Sequence, residues 1–147
     1  MTARYHIRQA AEKDLEVISA MQATLFPAKK ERVPVDTKKT KWWYCVYDRD
    51  LPAGFLCLEI CSSTVAYVSR VGILPGARGN NLMVRLLRAA ELYLKKRTDT
   101  VILFSDTLPD NPASMNSFIK SGWKTSDLPS RLSLQRKPPV VYWRKEL

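Results

Sequence analysis

No apolar run in this chain approaches the ~20 residues that a membrane-spanning helix needs, so a helical anchor is excluded. Met1 to Arg8 holds no apolar stretch ahead of a small-residue cleavage site, so the expectation is a cytoplasmic protein without a secretion signal. Cysteine is scarce. Cys45, Cys57 and Cys61 are odd in number and sit in apolar, strand-like sequence, which reads as small buried hydrophobes and not as a disulfide framework. The single histidine, His6, lies in another segment, so no tetrahedral metal set forms and no metal is expected. Repeats, low-complexity tracts and linkers are missing, and 147 residues at 46% hydrophobic suit one domain over residues 1–147.

Acidic residues are also few. Fourteen Asp and Glu against 24 Lys and Arg leave a net charge of +10. Such a field attracts polyanions, which include nucleic acid, acidic proteins and phosphorylated small molecules. Without a DNA- or RNA-reading motif, charge alone does not choose among them.

Of only five glycines, three fall in Val71-Gly-Ile-Leu-Pro-Gly-Ala-Arg-Gly-Asn-Asn-Leu82. Here a β-branched run stops at Pro75, passes Gly76 and Gly79, and enters an amphipathic helix. Backbone N–H groups at such a helix start lack partners and carry partial positive charge, which makes a phosphate site. With Arg78 beside it, the segment reads as the holder of a ligand's diphosphate.

The rest of the chain alternates in period. Tyr5 to Arg8 predicts a strand, and Glu12 to Leu25 a helix with Leu15, Ile18, Met21 and Leu25 on one stripe, ended by Pro27. Ala28 to Lys41, polar and lysine-rich, predicts a loop or short helix over one edge. Lys41 to Tyr47 and Ala53 to Cys61 predict a hairpin around Asp48 to Pro52. Thr64 to Leu74 predicts a strand with Val65, Tyr67, Ser69, Val71 and Ile73 on one face. Asn81 can cap a helix to about Arg97, whose final Lys95, Lys96 and Arg97 complement its negative end. Thr100 to Phe104 predicts a buried strand, Ser114 to Ser121 a helix closed by Gly122, and Val140 to Arg144 a last strand. The order predicts a mixed α/β (α+β) sheet with helices on its faces.

Two blocks, Val71 to Leu87 and Asn111-Pro-Ala-Ser-Met-Asn-Ser-Phe-Ile-Lys-Ser-Gly-Trp123, resemble the GNAT superfamily of N-acetyltransferases. The first is similar to that family's strand, proline and Arg-Gly loop before an apolar helix. The second is similar to its Asn-Pro opening and Gly-aromatic ending. Tyr142 to Leu147 and the early Ile7-Arg-Gln-Ala10 extend the resemblance over nearly the whole chain.

The resemblance implies a mostly antiparallel central sheet flanked by helices, and acetyl-CoA as co-substrate with an amine acceptor of unknown identity. It implies that Val71 and Ile73 pair with the pantetheine arm. The N–H groups of Arg78, Gly79, Asn80, Asn81, Leu82 and Met83 would hold the pyrophosphate, Asn111 would fix the pantetheine, and Phe118 would pack near the thioester. The chain departs from the family at Asn81 and Met83, where small residues are usual, and at Phe118, where many members carry a proton-donating tyrosine. The family's glutamate base falls near Tyr67. Remaining candidates for acid–base work are Glu59, Asp106 and Tyr67, with Ser69 and Ser105 able to position water, though each carboxylate reads equally as a solvated surface group.

Trp42, Trp43 and Tyr44 beside Lys38, Lys39 and Lys41 read either as core, with Trp42 or Tyr44 inward, or as a base-stacking surface. Two other readings therefore stand beside an acetyltransferase: a binding module on the same scaffold, and a transferase that modifies nucleic acid. The resemblance implies that Leu25 to Lys41 and Asp127 to Pro139 build the acceptor side; both are basic, which points to an acidic acceptor.

Overall fold

The computed structural model describes residues 4–29, 32–35, 41–127 and 140–147. Among the described residues seven strands form one sheet: β1 (Tyr5–Gln9), β2 (Lys41–Asp48), β3 (Leu51–Ile60), β4 (Val65–Ile73), β5 (Ile102–Thr107), β6 (Lys124–Ser126) and β7 (Val141–Glu146). Their spatial order is β1-β2-β3-β4-β5-β7-β6, and the β4–β5 pair alone is parallel among the described strands. The crossover between those two is α2 (Leu82–Arg97), because parallel neighbours need a long connection. With α1 (Leu15–Leu25) and α3 (Pro112–Lys120) it makes a mixed, mostly antiparallel sheet flanked by helices.

Each face of the sheet buries its own core. Against α2 and α3 lie Leu56, Leu58, Val68, Leu86, Leu87, Leu103, Phe118 and Trp143. Against α1 lie Ile18, Met21, Trp43, Cys45, Phe55 and Cys57. Trp43 and Tyr44 are both buried, on opposite faces, and Trp42 packs half-buried on Tyr93 at 5.8 Å between centroids. The cysteine expectation holds for Cys45 and Cys57 and fails for Cys61, which lies just past β3 and is exposed. Burial first of all pushes the Cys45 thiol up to about 12, so it is inert at neutral pH.

Several local expectations need correction. The strand β6 went unpredicted, and β5 starts later and runs through Asp106 and Thr107, so Asp106 lies within it. Residues 12–14 form a 3-10 turn before α1. The single face proposed for Val65 to Ile73 is broken by a bulge. Cys57 pairs with Arg70 but Leu58 with Val68, so Ser69 is an extra residue on β4. Val71 and Ile73 thereby join Ala66 and Val68 on the α2 side, while Tyr67 faces the other way. Lys38, Lys39 and the segment from Leu128 to Pro139 lie outside the described residues.

Candidate active site

The β4–β5 ladder runs only from Val65↔Ile102 to Val68↔Ser105. At its last rung the Ser105 hydroxyl donates to the Val68 carbonyl at 2.8 Å, which accounts for the serine without a water-positioning role. Beyond this rung β5 keeps only β7, and Arg70 to Ile73 keep β3 as their only described strand partner. The strands part, and the gap is a cleft of about 580 Å³ walled by Val71, Gly72, Ile73, Ala77 to Gly79, Asn81 to Met83 and the polar side of α3.

The loop at the head of the cleft is built from its own backbone. After Leu74 a 3-10 turn over Pro75–Ala77 hands on to Gly79 at φ +84° and Asn81 at φ +56°. Asparagine tolerates this left-handed conformation better than most residues, so Asn81 makes the turn where a small residue was expected. Its side chain does not cap α2, contrary to expectation. The helix ladder starts with Arg85 N–H to the Asn81 carbonyl, which leaves the N–H groups of Leu82, Met83 and Val84 without intrahelical partners. The first turn of α2 carries no acid, so nothing neutralises its positive end.

Around that end, Arg78 Nε donates to the Ile73 carbonyl at 3.1 Å, laying its side chain along the end of β4. Asn80 Nδ2 donates to the carbonyls of Ala77 and Arg78 and ties the loop together. The Met83 side chain, 8% exposed, joins the core and lines the cleft wall.

Asn111 stands opposite. Its Oδ1 accepts from the Ser114 N–H at 3.2 Å and Pro112 follows at the first helical position, so sequence chemistry alone opens α3 there. The helix closes through Gly122 at φ +84°, with Gly122 N–H on Ile119 and Trp123 N–H on Phe118. Phe118 is fully buried, stacked on Trp143 at 5.4 Å and edge-on to Trp123 at 4.8 Å.

A smaller hollow of about 90 Å³ shares Phe26, Val71, Met83, Asn111 and Ser114 with the large cleft. It continues to Arg70, Ser105, Asp106 and Phe118. On its rim Tyr67 OH donates to Asp106 Oδ2, so two of the three acid–base candidates meet. Glu59 is in register with Tyr67 on the next strand but is drawn toward Lys41 at 3.8 Å and lines neither hollow. Residues that sequence reading missed are Phe26 and Arg70, whose guanidinium lies 5.3 Å from the Phe26 ring, and Ser114, Ser117 and Lys120 along α3. Spacing of three on α3 was the available signal, but a Ser/Lys stripe reads as a solvated face.

The sequence model of the acetyltransferase (GNAT) family matches residues 7–123. None of the curated proteins matches the chain by sequence. Among solved structures, Arabidopsis thaliana NAA60 in complex with acetyl-CoA superposes with a TM-score of 0.79 at 10% identity, over 97% of this chain and 98% of that one. The spermidine N-acetyltransferase from Vibrio cholerae, in complex with CoA and spermine, gives 0.74 at 13% identity over 97% and 95%. An acetyltransferase from Streptococcus agalactiae gives 0.76 at 13% identity over 99% and 100%. At these identities the likeness is one of fold.

Proposed function

The chain belongs to the acetyltransferase (GNAT) family, and from that premise we propose that it is an acetyl-CoA-dependent N-acetyltransferase acting on a primary amine. The observation that carries the reading is the parting of β4 from β5, which opens a backbone edge toward a cleft headed by the bare start of α2. An extended pantetheine arm suits the edge of Val71 to Ile73 as an added strand. The diphosphate suits the N–H groups of Arg78 to Met83, and Asn111 closes the arm from the α3 side.

Acetyl transfer forms a C–N bond, breaks the C–S bond, and requires that the amine lose a proton and the thiolate gain one. Asp106 is the base in this reading, since it lines the inner hollow and Tyr67 OH holds one carboxylate oxygen. Tyr67 is then a positioning residue. Glu59, engaged with Lys41, is held in the sheet beside them. Phe118 cannot donate a proton, so water serves the departing thiolate. A net charge of +10, with Arg70 and Lys120 at the cleft, supports a neutral or acidic acceptor over a polyamine such as the spermine bound by the Vibrio enzyme.

A thermal-shift titration with acetyl-CoA tests the cofactor half of this reading. Saturable binding stabilises the fold by about 2.7 kcal/mol at a hundredfold excess over Kd, and Arg78→Ala reduces the shift. Thiol release with a panel of amines tests the chemical half. Asp106→Asn is expected to slow release ~10²–10⁴-fold while leaving the acetyl-CoA shift in place. No shift at millimolar acetyl-CoA sinks the reading.

A further inference from the structure

At the far edge of the sheet, three strands from β4, lies a concavity of about 650 Å³ that shares no residue with the cleft. It is lined by Arg4, His6, Arg8, Lys13 and Arg49, with Tyr47 and Asp50. His6 and Arg8 lie on one face of β1, roughly 6.8 Å apart, and Arg4 immediately precedes the strand.

Two of these cations are held in place and keep donors to spare. Arg4 gives Nε and Nη2 to Asp48 at 3.0 and 3.1 Å, which leaves Nη1. Arg8 gives Nη2 to the buried Asp14 at 2.8 Å, and its guanidinium lies 4.8 Å from the Tyr47 ring. Tyr47 OH in turn donates to Asp14 at 2.6 Å. The carboxylates sit behind the guanidiniums as anchors, so their ordering cost is met before any ligand arrives. Lys13 and Arg49 make no ion pair among the described residues and stand exposed at the rim.

Arg49 supplies an independent observation. It occupies the first position of the two-residue turn between β2 and β3 with φ +56°, where glycine or asparagine is usual. Its N–H is bonded to the Arg4 carbonyl at 2.8 Å, which fixes the turn against β1. A long cation at such a position is carried at a backbone cost and directed to the rim of a basic hollow.

We propose that this hollow is a second anion site, separate from the cleft, for a ligand bearing two or more phosphate groups. A compact oligophosphate and the backbone of a nucleic-acid strand share that chemistry. With Arg4 and Arg8 paired to Asp48 and Asp14 and with Asp50 on the lining, the charge left for a ligand is that of Lys13 and Arg49 together with the spare guanidinium donors.

The test uses the full chain and two probes, inorganic tripolyphosphate by calorimetry and a labelled oligothymidylate of about 12 nucleotides by anisotropy. Each is measured at two salt concentrations for the wild type, for Lys13→Ala with Arg49→Gly, and for Arg78→Ala. Arg49→Gly relieves the positive φ, and Lys13 has no ion partner among the described residues, so the double variant keeps its fold. Expected is a loss on the order of tenfold in the double variant at low salt, a log–log salt slope smaller by about 1.4 for the strand, and with Arg78→Ala a loss only of the separate phosphate binding at the cleft, the binding at the hollow being retained. Tripolyphosphate binding alone identifies a compact ligand, and strand binding identifies a nucleic-acid backbone. Failure of both probes, or a loss confined to Arg78→Ala, overturns the site.

Discussion

The two halves of β4 are one strand put to two uses. Ala66 to Val68 is paired on both sides, by β3 and by β5, and its Ala66 and Val68 are sealed in the core. Arg70 to Ile73 is paired by β3 alone and is only partly buried along the cleft. One extra residue, Ser69, separates them. A saturated backbone stabilises a fold but has nothing left for a ligand, whereas an unsaturated one can bind only where the surrounding structure holds it open. Here the bulge, the Ser105–Val68 bond and the divergence of β5 do the holding.

Substitutions on the two sides of the bulge should break this comparison if it is wrong. The largest effect is expected from Leu103→Ala, in the register position beside Ala66, which should cost about 2–5 kcal/mol in urea denaturation because a fully buried side chain leaves a cavity. The matching change in the open half, Ile73→Ala, should cost roughly 1 kcal/mol, since that side chain is only partly buried. Equal losses would mean that the open half is closed in solution.

A middle-sized effect separates the two glycines at the head of the open half. Gly79→Ala should cost about 1–2 kcal/mol because of φ +84°, although an added Cβ would meet nothing within 4 Å. Gly76→Ala, with equal space and no left-handed requirement, should stay within ~0.5 kcal/mol by thermal melting. If Gly76→Ala is the worse of the two, the loop geometry is wrong.

The smallest effect sharpens the comparison by locating the acid limit away from β4. Burial alone would raise the Asp14 carboxyl, but Tyr47 OH, the Ala11 N–H and Arg8 more than offset it and hold it below the usual carboxylate value. A depressed carboxylate contributes stability that is complete above its unfolded value near ~3.9 and is lost as pH falls through the folded one. Melting temperature should therefore decline below about pH 4, and Asp14→Asn should flatten that decline.

Much of this was legible in the sequence, and the failures have physical causes. Strands and helices followed from period, and the Pro75 to Leu82 loop followed from glycine, proline and asparagine chemistry. The face of β4 was misread because a period of two holds only until a residue is inserted, and nothing in Val68-Ser-Arg-Val71 announces a bulge. The β6 strand, Lys124-Thr-Ser126, is too short and polar to carry a pattern, and exists through its pairing with Arg144 to Tyr142. Arg70 and Phe26 become neighbours only when the end of α1 reaches β4.

That last meeting rests on Gly72. A Cβ there would lie 2.7 Å from Leu25 Cδ1 and 2.8 Å from the Phe55 ring, so α1 is seated on the bare backbone of the open half. The next residue, Phe26, lines both hollows. Under the acetyltransferase reading proposed above, the cofactor edge and the acceptor side meet at this contact, so a change in α1 that retunes one substrate is expected to disturb the other.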